Sequence, residues 1–224
     1  MKRISAKVAL IGVALLLGSN AMADDNIWVG VKAGTLGLGL EGSWRPIPWF
    51  DVRAGANMFD YNDNGSQAGI NYDGTLSLET FYATANLRFP LSPFRMTVGA
   101  FSNGNEVKLV SQDMPTYDIG GIPYDSTEVG TLTSTTSFKS TAPYVGAGFD
   151  FNIANRFGIA LDFGVLWQGE PIVTLTSDGT LATDPGSQGD VFRTQLETER
   201  QELEDEVKNF KAYPVVSLGF NFNF

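Results

Sequence analysis

Val216, Leu218, Phe220, Phe222 and Phe224 share one face of an extended strand, and Ser217, Gly219, Asn221 and Asn223 share the other. Successive side chains of a strand point to opposite faces, so this segment is apolar on one side and polar on the other. The chain stops at that phenylalanine. Such a ribbon suits lipid on one side and a wet lumen on the other. The same period-two alternation runs through residues 27–34, 36–45, 50–60, 75–89, 94–103, 138–152 and 157–168 before this last segment, 213–224.

The connections alternate in length. Residues 45–49, 90–93 and 153–156 are tight turns, whereas 61–74, 104–137 and 169–212 are long loops. Short turns at one end and long loops at the other are the asymmetry of outer-membrane barrels. The first hairpin bends at Thr35, because Val29, Val31 and Ala33 lie on odd positions and Leu36, Leu38 and Leu40 on even ones. A bulge at Gly34 gives the same flip but leaves an odd number of strands. Single-chain bacterial barrels have even counts. The expected fold is therefore all-β, an eight-stranded antiparallel transmembrane β-barrel with an acidic amphipathic helix in the last long loop.

One parity collects the lipid-facing residues. They include Leu36, Leu38, Leu40 and Trp44, then Phe50, Val52 and Met58, then Met96 and Val98, and later Phe163 and Val165. No charge falls in this set; an Arg or Lys at mid-membrane on that face costs roughly 2–4 kcal/mol. Aromatic residues gather towards both strand ends. Trp44, Trp49, Phe89, Phe94, Phe157 and Phe224 lie at the turn end, and Phe81, Phe101, Tyr144, Trp167 and Tyr213 at the loop end.

The opposite parity carries Lys32, Glu41, Arg45, Asp51, Arg53, Arg88, Arg95, Asp150 and Asp162. An eight-stranded barrel is just wide enough for its side chains to fill it. Charges packed there lose water and must pair. The expected site is a lumenal ion-pair network, with Lys32, Glu41, Arg53 and Asp162 near mid-depth and the other five nearer the turn end. It reads either as a self-satisfied plug or as a gate whose pairs exchange partners.

The N-terminus reads as a secretory leader: Lys2, Arg3 and Lys7, an apolar core over residues 8–18, and Ala21-Met22-Ala23 as a cleavage site. The expected division is 1–23 signal peptide and 24–224 barrel. The 25 acidic residues outnumber the 15 basic ones, three of which fall in the leader. A nucleic-acid partner is thereby disfavoured. Most of the acidity lies in the long loops. It suits either a solvated surface or a partner surface, including lipopolysaccharide bridged by divalent cations.

There is no histidine and no cysteine, which removes imidazole catalysis, imidazole metal sites and disulfides. No cofactor or metal is expected. The run Asp60-Tyr61-Asn62-Asp63-Asn64-Gly65 matches the first half of a calcium loop, but its twelfth position is Asn71. A hairpin tip explains it more simply. Residues 193–211 have helical spacing, with Phe192, Leu196, Leu203, Val207 and Phe210 on a stripe and Glu197–Arg200 and Glu204–Lys208 as charge pairs.

The stretches VGVKAGTLGLGLEGSW, APYVGAGFDF, DFGVLWQGEP and YPVVSLGFNFNF resemble small proteobacterial outer-membrane β-barrel proteins, loosely grouped with the OmpA-like and OmpW-like barrels. The resemblance implies an outer-membrane location. It implies that Phe220, Phe222 and Phe224 form the signal read by the barrel-assembly machinery, and that lipid and lipopolysaccharide surround the barrel. Barrel enzymes of this membrane rely on histidine, which is absent here. The expected role is non-enzymatic, structural or in surface interaction through acidic loops. The alternative is a narrow, porin-like channel for small solutes, apolar ones included.

Overall fold

The computed structural model describes residues 26–67, 70–112, 114–154 and 156–223. The leader 1–23 and Phe224 lie outside the described residues. Strands β1 (Ile27–Gly34), β2 (Gly37–Ile47), β3 (Phe50–Gln67), β4 (Ile70–Arg88) and β5 (Phe94–Asn103) come first. Four short strands follow: β6 (Glu106–Ser111), β7 (Thr116–Ile119), β8 (Ile122–Asp125) and β9 (Leu132–Ser137). Then come β10 (Thr141–Ala154), β11 (Phe157–Trp167), β12 (Ile172–Ser177) and β13 (Ala212–Asn223). The helices are α1 (Ser126–Val129), α2 (Thr180–Thr183) and α3 (Ser187–Val207).

Eight of these strands close into a ring. β1 to β5 pair in sequence, β5 pairs with β10, β10 with β11, β11 with β13, and β13 returns to β1. Every pair is antiparallel. Closure matters because an open strand edge in hydrocarbon leaves backbone N–H and C=O groups without partners. Val31, Leu38, Trp44, Phe81, Met96, Val98, Phe163 and Phe220 are exposed on the outer wall, while Arg53, Asn57, Arg95 and Thr97 are buried inside.

The first turn is a hairpin, with Gly34 paired to Gly37 and Thr35-Leu36 between them. Gly37 has φ +95°, a conformation that glycine adopts at no steric cost. Strand β13 holds this turn: Thr35 N donates to the Val216 carbonyl at 2.9 Å and the Tyr213 hydroxyl donates to the Thr35 carbonyl at 2.7 Å. Leu36 departs from the expected lipid-facing set. It is turned into the barrel mouth and is 5% exposed, because the two-residue turn ends the strand parity that begins again at Gly37.

The long connections are built structure rather than loops. β3 and β4 run past the barrel rim as one ladder that ends with Gln67 opposite Ile70. β6 adds to β4, β9 to β6 and β12 to β9. The Asp60–Gly65 run lies in that ladder, with Asp60 opposite Ser77 and Gly65 opposite Tyr72. Extended backbone sets alternate residues roughly 6.6 Å apart along a line. It does not curl them round an ion whose ligands sit about 2.4 Å away. The expected strand over 138–152 begins at Thr141 and runs to Ala154.

Above the rim this sheet, the β7–β8 ribbon and the helices enclose a core of Tyr117, Ile119, Val129, Leu132, Leu181 and Phe192. The helix of the last connection starts six residues earlier than its charge pattern suggests and ends four earlier. Asp184 sets the start, accepting from the backbone N–H of Gly186 at 3.0 Å and of Gly189 at 3.1 Å. The barrel sets the end: the Lys211 carbonyl accepts from Gln168 N at 2.9 Å, which ties the chain to β11 just before β13 begins. Phe210 consequently leaves the stripe and is exposed. Lys208 pairs with Asp205 at 3.1 Å, and Glu204 with Arg200.

Glycines seat the inner tyrosines. A Cβ at Gly164 would overlap the Tyr144 ring, whereas one at Gly42 would meet nothing within 4 Å. Gly164→Ala is expected to lower stability by about 1–3 kcal/mol. Gly42→Ala is expected to be close to neutral. Urea midpoints of refolded protein in lipid vesicles read both.

Candidate functional site in the barrel lumen

Alternation brings side chains from all eight wall strands to one axis. Asp150, on β10, is the hub. Its Oδ2 accepts from Arg53 Nη2 at 2.8 Å, Arg88 Nη1 at 2.5 Å and Arg95 Nε at 3.1 Å. Asp51 accepts from Arg53 Nε at 3.1 Å, Arg88 Nη1 at 2.9 Å and Asn86 Nδ2 at 2.7 Å. Glu41 takes Arg53 Nη1 at 3.1 Å, Lys32 Nζ at 3.2 Å and the Tyr82 hydroxyl at 2.7 Å. Arg95 also pairs with Asp162, which accepts from Ser217 Oγ at 3.2 Å.

Eight of the nine lumenal charges thus form a single connected set, joining the mid-depth and turn-end groups through Arg53 and Arg95. Arg95 is 1% exposed and Asp51 1%. An isolated ion in such a place costs several kcal/mol, so each charge is held by its partners. Arg45 stands apart. Among the described residues it makes no ion pair, and its guanidinium lies 5.9 Å from the Trp28 ring centre.

Above the charges lies an apolar layer of Leu36, Tyr82, Phe101, Ala142, Tyr144, Leu166 and Val215. Tyr82 stacks on Phe101 with ring centres 4.9 Å apart, and Phe101 meets Tyr144 at 5.2 Å. Phe101 and Tyr144 are therefore lumenal and not part of the outer aromatic girdle. Their parity already said so, since Ala100 and Val145 beside them face outward. Sequence reasoning also passed over Asn57, Thr80, Asn86 and Thr97, which are buried and hydrogen-bonded inside. Their signal was again parity, without a charge to draw notice.

Two small cavities lie among the described lumenal residues. One of about 30 Å³ lies between the charges and the apolar layer, lined by Lys32, Glu41, Arg53, Tyr82 and Asp162 among others. The other, of about 20 Å³, lies towards the turn end beside Trp28, Arg45 and Asp150. Arg53 is the one residue that borders both. Of the carboxyl-terminal aromatics, Phe220 is exposed on the wall and Phe222 packs against Phe157 at 5.2 Å.

The head above the rim carries separate electrostatics. On α3, the Arg200 guanidinium and the Gln201 amide beside Glu197 hold its carboxyl down at about 2. Outside the lumen, Lys211 bonds Glu170 at 2.6 Å and holds that carboxyl below its ordinary value.

The same fold occurs in known structures. The structure of CarO2 from Acinetobacter baumannii matches with a TM-score of 0.56 at 21% identity, over 88% of this chain and 98% of that one. CarO from the same organism matches with a TM-score of 0.55 at 20% identity, over 88% and 97%. Neisserial surface protein A gives a TM-score of 0.38 at 13% identity, over 89% and 97%. No protein-family model matches the sequence, and no curated protein is significantly similar to it. No helix among the described residues is long and apolar enough to cross a membrane. A closed ring of eight strands with an apolar wall and an ion-paired interior is the architecture of a small transmembrane β-barrel, the fold this chain shares with the two Acinetobacter structures.

Removing the hub carboxylate leaves three arginines without it. Asp150→Ala is expected to lower stability by about 3–5 kcal/mol, and Asp162→Ala by less, since Arg95 is the one arginine paired with it. Urea unfolding in vesicles orders the two. In the head, Glu197 has a folded pKa below its ordinary 4.5. Its stabilising effect is present above that ordinary value and is lost as pH falls towards about 2. Pepsin cleavage within 187–207 should rise across that window, and Glu197→Gln should be cut at pH 4.5 as readily as wild type near pH 2.

Proposed function

We propose that this protein is a closed, non-enzymatic outer-membrane barrel whose work is done by the folded acidic head that it holds outside the cell. The observation that carries this reading is the state of the lumen. Ion pairs fill its lower half and stacked aromatic rings fill its upper part. The cavity between them and the one at the turn end, about 30 and 20 Å³, have room for a water or two apiece. No solute larger than water fits such a path.

The head is a rigid display. Its sheet continues two barrel strands, and its own core fixes α3 through Phe192. Glu197, Glu202, Asp205 and Glu206 are exposed along that helix. A cationic surface partner, or lipopolysaccharide phosphates bridged by divalent ions, suits this charge. The terminal aromatics Phe220, Phe222 and Phe224 serve assembly in this reading.

A narrow channel is the second reading, and one observation favours it: Arg53 alone borders both cavities. Partner exchange by Arg53 would join them. Planar-bilayer recording separates the two readings. The closed barrel predicts silence from wild type at all voltages and discrete small openings from Arg53→Ala. Reproducible wild-type conductance that Arg53→Ala alters would instead establish the channel.

A further inference from the structure

Three residues that line the turn-end cavity each carry a buried polar atom with no hydrogen-bond partner among the described residues: Trp28 Nε1, Arg45 Nε and Asp150 Oδ1. Each comes from a different strand, β1, β2 and β10. The Asp150 side chain is only 9% exposed, and all its arginine contacts fall on Oδ2. Two donors and one acceptor thus belong to the lining of one void of about 20 Å³.

The chemistry of these three atoms selects the occupant. An anion would accept from Trp28 and Arg45 but would meet the lone pairs of Asp150 Oδ1. A cation would suit Asp150 but would meet two N–H groups and the Arg45 charge. The occupant must both accept and donate, and the volume admits nothing much larger than one water. We propose that this cavity is a built site for a single long-lived water. The water accepts from Trp28 Nε1–H and Arg45 Nε–H and donates to Asp150 Oδ1.

Such a water ties three strands together across the lumen and fills the one coordination position that the arginine hub leaves open. It also explains why Arg45 is tolerated there without an ion pair. Its guanidinium stacks towards Trp28, and its Nε–H finds the water.

The chain holds four tryptophans, and this makes the test internally controlled. Trp44, Trp49 and Trp167 are exposed on the outer wall. In nitrogen-labelled protein refolded into nanodiscs, one indole N–H is expected to show a direct cross-peak to a long-lived water, and the other three are not. That signal should vanish in Trp28→Phe; if that variant does not fold, substituting each outer tryptophan in turn assigns it by elimination. Absence of the cross-peak at the Trp28 indole overturns the proposal. So does a shift of that signal when chloride is exchanged for gluconate, because the cavity would then hold an anion.

Discussion

Asp150 and the three arginines that converge on its Oδ2 organise this molecule. A barrel of eight strands leaves no room for bulk water at its axis. Each charge placed there exchanges hydration for a protein partner, and the exchange is favourable only if every partner is present and well placed. The arginines suit this because their planar forks reach several carboxylates at once. Arg53 spans Glu41, Asp51 and Asp150, and Arg95 spans Asp150 and Asp162. The result is a cross-brace between β2, β3, β4, β5, β10 and β11 that fixes their register more firmly than ladder hydrogen bonds alone.

From this brace the remaining features follow outward. A wall whose inner parity is occupied by braced polar groups leaves the other parity for lipid, and the apolar belt fills it. The tyrosines above the brace are seated where glycines make space for their rings, as Gly164 on the adjacent strand and Gly146 on its own strand do for Tyr144. The head borrows its rigidity from the same wall. β3 and β4 leave the membrane already paired, so the sheet above inherits their register and needs only Phe192 and its neighbours to seat the helix.

Much of this was legible in the sequence, for a physical reason. Period-two alternation is a strand's own geometry, and a belt without charges is what lipid requires, so the eight wall strands and the nine inward charges could be read from parity. Two kinds of feature could not. Leu36 follows the outward parity but sits in a turn, where parity no longer applies. The β3–β4 extension is rich in Asn, Asp and Gly, residues that mark turns when they stand alone. The strands that widen it, β6, β9 and β12, come from later connections, and local composition does not register them. The identity of each ion pair was equally out of reach, because parity gives the face of a side chain and not its angle about the axis. Arg45 shows the consequence: it has the right parity and charge, yet it meets Trp28 rather than a carboxylate.

The central claim is that one parity of every wall strand meets lipid while the other meets a closed, ion-paired axis. The chain has no cysteine, so a nitroxide placed at any position is unique. A label moved residue by residue from 94 to 101 along β5, in liposomes, should give oxygen accessibility that alternates with period two. It should be high at 96, 98 and 100 and low at 95, 97, 99 and 101. A smooth profile, or equal accessibility at Met96 and Thr97, would contradict the barrel and everything built on it.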